Sequence, residues 1–305
     1  MPKSRILIFD GNYCAHRAKH TVGHLVKGTT FGMLRITKAV VDELKPAQVV
    51  YAFDKGKPAR RLAIYPSYKA NRTKGHGVNN EVELAKEMLH SLGVNIAQIN
   101  EVEADDIIGI LVTHFREIYN EVIIVSSDFD LYQLIDGDNV VVYNPQRKVT
   151  INEDVFKENF DGFHPRKIID IKCITGDTSD NIPGVKGVGE KGALKALKLA
   201  KGSVTNLPCD DFEGDNKLMK INSEIDIINR NLSLVIIPRK VDDLEPEKRQ
   251  EMQKLIDNME RRNPNANVFN SLVRSNNFKS LGVDGFLKSF NLGRILSEDL
   301  DGWLI

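Results

Sequence analysis

The sequence has few cysteines and no long apolar run. Its three cysteines, Cys14, Cys173 and Cys209, lie far apart and form no CxxC motif. This spacing argues against a thiolate metal site, and the low count is typical of a cytoplasmic protein with reduced thiols. No apolar stretch approaches the roughly 20 residues that cross a bilayer, and the N-terminus shows no cleavage pattern of a signal peptide. We therefore expect a cytoplasmic protein without a membrane partner.

The chain also has no excess of charge of either sign, but acidic and basic residues are grouped in separate segments of the sequence. The chain has 42 Lys and Arg against 42 Asp and Glu. Residues 55–76 contain seven basic and no acidic residues, residues 101–130 contain eight acidic residues and one arginine, and residues 186–201 contain five lysines and one glutamate. An acidic segment between basic ones predicts metal chemistry on a polyanion, because cations bind the acids while Lys and Arg bind phosphates. The alternative is a surface that is patchy by chance.

Short apolar segments alternate with helical ones through the first half of the chain. Strands are predicted at residues 5–10, 49–54, 94–99, 121–126 and 139–143. Helices are predicted at residues 31–44, 81–92 and 107–115, the last because apolar side chains recur there about every 3.6 residues. This alternation is typical of an α/β fold with a mostly parallel central sheet. At 305 residues the chain can hold one large domain or two moderate ones.

Acidic residues stand where the predicted strands end. Asp10, Asp54 and Asp128 occupy such positions, and Asp130 follows closely. One such aspartate is usually a turn former, but the carboxyl ends of parallel strands meet at one edge of a sheet, where ligands bind. We therefore predict a shared metal site at this edge. Carboxylate oxygens suit Mg²⁺ or Mn²⁺, and the number of carboxylates indicates two ions.

A fourth acidic group stands directly before the helix predicted at residues 107–115. Glu103-Ala104-Asp105-Asp106 places three carboxylates within four residues. Acids at a helix start can cap free N–H groups and suit the helix dipole, but three adjacent carboxylates repel each other unless a cation lies between them. Two ions at this edge would activate water and neutralise the leaving oxygen in phosphodiester cleavage.

A glycine-rich segment separates two further predicted helices, residues 168–175 and 191–199. Gly187-x-Gly189-x-x-Gly192 has the spacing of a dinucleotide-binding motif, but no strand precedes it, and Glu190 occupies the place of the P-loop lysine. We interpret the segment as a tight hairpin whose backbone N–H groups approach a DNA phosphate. Nearby lysines add positive charge: Lys186, Lys191, Lys195 and Lys198. The alternative is an ordinary helix turn with solvated lysines.

Six motifs occur along the chain in a fixed order. They are Ile8-Phe9-Asp10-Gly11-Asn12, Phe53-Asp54-Lys55-Gly56-Lys57, Tyr68-Lys69-Ala70-Asn71-Arg72, Glu103-Ala104-Asp105-Asp106, Ser127-Asp128-Phe129-Asp130 and the segment from Gly176 to Val185. In order and spacing, over residues 5–235, this set resembles the 5′-nuclease (flap endonuclease) family. That family includes bacteriophage 5′-3′ exonucleases and the N-terminal nuclease domain of bacterial DNA polymerase I.

The resemblance implies a fold and a division of the chain. It implies a resolvase-like (PIN-like) α/β nuclease core at residues 1–163, which includes a helical arch at residues 55–80. A helix-hairpin-helix DNA-binding region would follow at residues 164–240, and residues 241–305 would form a helical extension of unassigned role. The prolines and glycines of the arch argue against one continuous helix, so we expect an arch that is partly disordered without DNA. The acidic and apolar end, residues 297–305, would pack on the core or dock on a replication partner.

The resemblance also implies the metal ligands. The first metal would be held by Asp10, Asp54, Glu103 and Asp105. The second would be held by Asp128, Asp130, Asp177 and Asp180, with Asp105 shared between the two metals. Asp106 stands alongside, either as a ligand or only as a helix cap.

Residues around the metals are implied to contact DNA. Arg61 and Lys69 would grip the scissile phosphate as catalytic cations. Tyr68 would support a base by stacking or, alternatively, pack in the interior. Further DNA contacts are expected from Arg72, Gly184, Lys186, Gly187, Gly189 and Lys191. In this family the hairpin often binds K⁺ through backbone carbonyls.

The function implied is that of a monomeric, structure-specific 5′-nuclease acting in DNA replication or repair. It would use Mg²⁺, with Mn²⁺ as a substitute, to cleave DNA near 5′ flaps, nicks and 5′ ends. Removal of RNA primers from RNA·DNA hybrid is a close variant, because the family reads backbone shape and ends rather than bases. A catalytically silent binder of branched DNA would lack carboxylates at the matched positions, and none is missing. The context of the glycine motif disfavours a nucleotide-dependent oxidoreductase.

Overall fold

A six-stranded sheet forms the centre of the fold. Its strands are β1 (Arg5–Asp10), β2 (Gln48–Ala52), β3 (Asn95–Ala97), β4 (Glu121–Val125), β5 (Val140–Asn144) and β6 (Val149–Ile151). The strand order is β3-β2-β1-β4-β5-β6, and all pairs are parallel except β5 with β6. The computed structural model describes residues 4–72 and 79–292.

Thirteen helices surround this sheet in the described ranges. They are α1 (Gly11–Val22), α2 (Gly28–Leu44), α3 (Ala59–Ile64), α4 (Asn79–Ser91), α5 (Ala104–Phe115), α6 (Glu153–Asn159), α7 (Lys167–Thr175), α8 (Glu190–Leu199), α9 (Asn216–Ser223), α10 (Ile225–Val235), α11 (Pro246–Asp257), α12 (Ala266–Ser275) and α13 (Val283–Phe290). A two-stranded ribbon of β7 (Gly176–Asp177) and β8 (Ile182–Pro183) stands between α7 and α8.

The sheet is buried on both faces because its central strands are apolar. In β1 the residues from Ile6 to Phe9 are fully buried, as expected for a parallel strand covered by helices on both sides. Leu7 and Phe9 belong to one hydrophobic cluster, whereas Ile6 and Ile8 belong to another. Because successive side chains of a strand point to opposite faces, each cluster fills one face of the sheet.

The C-terminal helices are part of the sheet's covering. Helices α1, α2 and α4 pack on the face of Leu7, together with Phe269 of α12 and with Phe286 and Phe290 of α13. Helices α5 and α11 pack on the opposite face, where Met252 of α11 is fully buried. The segment predicted as an extension of unassigned role therefore contributes side chains to the core on both faces.

The helices that follow the sheet form their own apolar core. Helices α7, α8, α9 and α10 contribute buried side chains to a third cluster, in which Phe212 is fully buried. Tyr68, which follows α3, also belongs to this cluster. The arch segment is thereby attached to the helical region as well as to the sheet.

The predicted α/β fold with a mostly parallel sheet is confirmed. Several helices were not predicted; α1 is one of them, because its buried residues are small and its apolar periodicity is weak: Gly11, Cys14, Ala15 and Ala18. In the predicted arch the structure shows α3 and then turns as far as Arg72. The expectation of a disordered arch falls largely on residues 73–78, and that of a docking C-terminal end on residues 297–305, both outside the described residues. Within residues 4–72 and 79–292, no helix is long and apolar enough to cross a membrane.

Candidate active site

Two aspartates cap helices at the carboxyl edge of the sheet. Asp10 ends β1, and its side chain accepts hydrogen bonds from Tyr13 N at 2.9 Å and Ser126 Oγ at 2.8 Å. Asp54 lies two residues after β2 and accepts a hydrogen bond from Ala104 N, the first residue of α5, at 2.7 Å. Because Asp54 caps α5, the carboxylate of Glu103 is not needed as a helix cap, and it makes no capping hydrogen bond.

The carboxylates at this edge form a group of mutually repelling charges, the first cluster, made of Asp10, Asp54, Glu103 and Asp105. Burial raises the pKa of Asp10 to about 6; the hydrogen bonds from Tyr13 N and Ser126 oppose the shift, and the charges of Asp128 and Asp54 add to it. Burial and then the charges of Asp128 and Asp10 raise the pKa of Asp105 well above its ordinary value. An added cation would relieve this repulsion.

Three further aspartates converge on the second side of the site. Carboxylate oxygens of Asp130, Asp177 and Asp180 all lie within 4.8 Å of one another. Asp130 opens a short 3-10 turn after β4, and Asp177 lies in β7 directly after α7. The Asp177 Oδ1 atom accepts hydrogen bonds from Ser179 N at 2.8 Å and Asp180 N at 3.2 Å, which fixes the loop between them. With Asp128, whose Oδ1 accepts from Asp130 N, these residues are the second cluster.

The second cluster contains a lysine that the sequence analysis did not single out. Lys172 on α7 forms ion pairs with Asp130 and, at 2.6 Å, with Asp177 Oδ2. Although burial opposes ionisation, the hydrogen bond and charge of Lys172 lower the pKa of Asp177 to about 2. Burial raises the pKa of Asp130 to about 6 against the opposing charge of Lys172. The second cluster is thus partly neutralised by the protein itself.

Glu103, a member of the first cluster, contacts side chains of the arch that also reach the second cluster. Its carboxylate is paired with Arg61 and with Lys69. Despite burial, these charges lower the pKa of Glu103. The Tyr68 hydroxyl donates to Asp180 Oδ2 at 2.8 Å and lies 3.2 Å from Glu103 Oε1. The Lys69 ammonium is also 3.8 Å from Asp180, so both side chains connect one cluster to the other.

The donor set fits divalent cations. All candidate ligands are carboxylate oxygens, Asp10 and Asp105 of the first cluster lie among other acids that raise their pKa values, and three oxygens of the second cluster meet within 4.8 Å. Hard cations such as Mg²⁺ prefer such oxygens, whereas structural Zn²⁺ takes nitrogen and sulfur. The geometry therefore supports use of divalent metal.

Family comparisons agree with this geometry. The family model "5′-3′ exonuclease, N-terminal resolvase-like domain" matches residues 5–161, and "5′-3′ exonuclease, C-terminal SAM fold" matches residues 163–254. The chain belongs to the 5′-3′ exonuclease family. The predicted family and fold are thereby confirmed.

The relatives of this chain differ in how much of their own length it matches. A 5′-3′ exonuclease of Mycoplasmopsis pulmonis is 30% identical over 224 residues, covering 72% of this chain and 74% of the relative. DNA polymerase I of Caldicellulosiruptor bescii is 34% identical over 207 residues, 64% of this chain and 24% of the polymerase. The chain thus spans about a quarter of the length of the polymerases it matches. The solved 5′-exonuclease of bacteriophage T5 with divalent zinc ions shares the fold, with a TM-score of 0.66, 22% identity, and coverage of 90% of this chain and 98% of that one.

The placement of three side chains bears on the roles predicted for them. Arg61 is only 4% exposed and donates to both oxygens of Asp106 at 2.7 Å, to Glu103 and to Leu234 O at 2.8 Å. Four of its five N–H groups are thus engaged by the protein itself. Asp106 is the ion-pair partner of Arg61 in this structure, and its contact with metal stays a prediction. Tyr68 is 5% exposed and packs in the interior, so its ring is not open to stack on a base.

The glycine segment forms a turn between α7 and α8, as predicted. At Gly184 a Cβ atom would lie 2.1 Å from the Thr175 carbonyl carbon, so this glycine is required for packing. Gly187 has a φ of 86°, the left-handed region that favours glycine. Lys186 and Lys191 are exposed, and the Lys220 ammonium donates to Lys186 O at 2.9 Å, which shows that a cation can approach this turn's carbonyls.

One other residue of the site, and one pairing of predicted residues, also escaped sequence reasoning. Ser126 joins the ends of β1 and β4, because its hydroxyl donates to Asp10 and accepts from Asp128 N at 3.0 Å. Its position at the end of the strand predicted at 121–126 was a usable signal. Arg61 pairs with Asp106 across 45 positions of sequence, and no local pattern marks such a pair.

Proposed function

We propose that the protein is a divalent-metal-dependent 5′-nuclease that cleaves phosphodiester bonds of DNA at 5′ ends, flaps and single-strand/double-strand junctions. The observation that carries this proposal is the pair of carboxylate clusters at one sheet edge, linked through Tyr68 and Lys69. Two structural neighbours are a flap endonuclease of bacteriophage T5 in complex with DNA and metal ions and the catalytic core of Rad2 with DNA substrate. Human GEN1, a further structural neighbour, is described with Holliday junction DNA.

The carboxylates assign the metal ligands of this proposal. Asp10, Asp54, Glu103 and Asp105 would hold one Mg²⁺; Asp128, Asp130, Asp177 and Asp180 would hold a second; Mn²⁺ would substitute. When bound, these ions would supply activation of a water and charge neutralisation on the leaving oxygen. A shared role for Asp105 is supported by its electrostatic interaction with both Asp10 and Asp128.

The chain's own cations would hold the DNA backbone. The side chain of Lys69 is 17% exposed between Glu103 and Asp180, and that of Arg72 is 52% exposed beside Asp180. Both can reach a phosphate at the mouth of the site, and Lys69 is the better placed to neutralise the scissile one. Arg61 would act indirectly, because it holds the Glu103 carboxylate in position.

Duplex DNA would bind at the turn between α7 and α8. The exposed Lys186 and Lys191 supply positive charge, and α8 begins at Glu190 after Gly189, which makes no side-chain cap. Free backbone N–H groups at a helix start bind phosphate. K⁺ bound by carbonyls of this turn remains part of the proposal, supported by the Lys220 ammonium on Lys186 O.

The substrate is tested by cleavage of labelled oligonucleotides. Wild-type protein should cut 5′-flap DNA and shorten nicked DNA from the 5′ end in Mg²⁺ or Mn²⁺ and should be inactive in EDTA. An RNA-primed hybrid in the same series measures the alternative of primer removal, and gel mobility with Ca²⁺ measures DNA binding separately. Binding of flap DNA without cleavage in any metal would favour a silent branched-DNA binder and contradict the proposal.

A further inference from the structure

A short part of the arch lies against the loop that carries Asp180. We name residues 67–72 the arch base and residues 178–181 the acidic loop. Six hydrogen bonds join them: Lys69 N to Asp180 O at 2.9 Å, Tyr68 Oη to Asp180 Oδ2 at 2.8 Å, Asn71 Nδ2 to Thr178 O at 2.8 Å, Arg72 Nε to Ser179 O at 3.3 Å, Arg72 Nη2 to Asp180 Oδ1 at 2.5 Å and Asn181 Nδ2 to Ser67 O at 2.7 Å. Two segments more than 100 positions apart in sequence are therefore fastened as one unit.

Asp180 is held by this contact at every oxygen it has. One carboxylate oxygen accepts from Tyr68, the other from Arg72, and its carbonyl accepts from the backbone of Lys69. The residue is 8% exposed. Its position relative to Asp130 and Asp177 therefore depends on where the arch base lies.

The backbone conformations on both sides are unusual. Lys69 has a φ of 53° and Asn181 a φ of 59°, the left-handed region that non-glycine residues seldom adopt. Strain of this kind persists only where the surrounding contacts determine it. Here the hydrogen bonds between the arch base and the acidic loop supply those contacts.

Two asparagines contribute to this contact without touching a carboxylate. The Asn71 amide donates to the Thr178 carbonyl, and the Asn181 amide donates to the Ser67 carbonyl. Both residues are uncharged, so removing either side-chain amide alters the contact and leaves the charge of the site unchanged. Substitutions of these asparagines therefore test the position of the acidic loop without changing the charge of the site. Tyr68, Lys69 and Arg72 do not allow this, because each bonds directly to a carboxylate.

We propose that Asn71 and Asn181 are positioning residues that couple the arch base to the second cluster, so that the arch base sets the affinity of that cluster for metal. The proposal rests on the metal-dependent cleavage proposed above. Coupling of this kind is reciprocal: metal at the second cluster must in turn stabilise the arch base against opening. The same contact aligns Lys69 with both clusters, so its loss should lower kcat more than it raises KM for DNA.

The variants that test this are Asn71→Ala and Asn181→Gly. Glycine at 181 keeps the left-handed backbone accessible while it removes the amide. Asn277→Gly is the matched control, because Asn277 also has a positive φ, of 58°, is exposed just after the end of α12, and belongs to neither the arch base nor the acidic loop. All three proteins should be compared with wild type for thermal unfolding, to verify that each is folded at the assay temperature.

The first readout is metal binding in solution, by calorimetric titration with Mn²⁺ in the absence of DNA. Each site variant should weaken the affected binding event by about fivefold, the equivalent of one hydrogen bond, and should raise the Mg²⁺ concentration for half-maximal cleavage similarly. KM for flap DNA should stay within about twofold of wild type, because neither amide contacts DNA in this proposal. Mn²⁺ affinities of both variants equal to that of Asn277→Gly would overturn the coupling.

The second readout is hydrogen exchange of the Lys69 backbone amide, which bonds to Asp180 O. In wild type and Asn277→Gly, exchange should slow when Mn²⁺ is added; in Asn71→Ala and Asn181→Gly it should be faster without metal. Unchanged exchange in both site variants would overturn the proposal even if wild type proved inactive on every DNA. Inactive wild type that binds no Mn²⁺ would instead overturn the proposed function, so the two failures are distinguishable.

Discussion

The two carboxylate clusters meet at one site but differ in the positive charge around them. In the first cluster Asp10 and Asp105 are buried beside other acids, and their pKa values are raised, that of Asp10 to about 6. In the second cluster Lys172 lowers the pKa of Asp177 to about 2. The first cluster is built on the ends of adjacent strands, which hold the acids together whatever their repulsion. The second is assembled from separate segments, and a resident lysine helps to hold it.

The difference shows that the same protein can keep carboxylates together in two ways: by a rigid sheet or by an ion pair with a resident lysine. In the first cluster the packed sheet holds the carboxylates close together although they repel each other, and a bound cation would reduce this repulsion. In the second cluster a cation would compete with Lys172 for Asp130 and Asp177. We therefore expect the metal-free protein to be more strained at Asp10 and Asp105 than at Asp177. Asp130 retains a pKa raised to about 6 despite Lys172.

The largest expected effect is the loss of cleavage in Asp105→Asn. Asp105 interacts with acids of both clusters, so its substitution removes charge from both metal positions. We expect kcat on flap DNA to fall by about a thousandfold or more, because metal ions supply several kcal/mol of charge stabilisation. Asp154→Asn, at an exposed acid of α6, is the control and should leave kcat unchanged. Normal cleavage by Asp105→Asn would show that the clusters do not share a ligand.

A smaller effect is expected for Lys172→Met in the metal-free protein. Removal of one partner from a partly buried ion pair leaves Asp130 and Asp177 uncompensated, and the free energy of unfolding should fall by about 3 kcal/mol. Added Mn²⁺ should restore much of this loss, since the ion replaces the missing charge. Lys195→Met, which removes an exposed pair with Asp215, should cost less than about 0.5 kcal/mol. Equal losses in the two variants, with no recovery in Mn²⁺, would remove the contrast between the clusters.

The pH dependence of metal binding tests the raised pKa values of the buried carboxylates. Because the pKa of Asp10 is raised to about 6, protons compete with metal at the first cluster below that pH. Its apparent affinity should fall by about tenfold when the pH is one unit below this pKa. In the second cluster the pKa of Asp130 is also raised to about 6, so protons compete with metal there as well, whereas the pKa of Asp177 is about 2 and this ligand should remain ionised over the same range. Calorimetric titrations with Mn²⁺ at pH 7 and pH 5 measure this, and equal affinities at both pH values would contradict it.

Much of the first cluster could be predicted because strand ends are visible in sequence. Asp10 and Asp54 of the first cluster follow apolar runs, as does Asp128 of the second, and parallel strands bring such residues to one edge. The register of the strands confirms this, since Asp10 at the end of β1 lies opposite Ala52 at the end of β2. Local patterns thus determine both the sheet and this part of the site.

The side chains between the clusters could not be predicted in the same way. Arg61 pairs with Asp106 and contacts Leu234 O only because α3 packs against α5 and α10. The burial of Tyr68 depends on the third hydrophobic cluster, whose other members are more than 100 positions away in sequence. A lysine at 172 is unremarkable in sequence and acquires its role from a contact with Asp130. These features depend on tertiary packing, which no short motif encodes.

The most direct test of the contrast between the clusters is the stability of Asp10→Asn and Asp177→Asn in EDTA. The folded-state pKa of Asp10 is raised, so ionised Asp10 destabilises the native state as pH rises from about 4 to 6 and beyond; the pKa of Asp177 is lowered, so its ionised form stabilises the native state above about pH 4. At pH 8 the free energy of unfolding should therefore rise by about 1–2 kcal/mol in Asp10→Asn and fall by about 2 kcal/mol in Asp177→Asn. Shifts of the same sign in both variants would contradict the account.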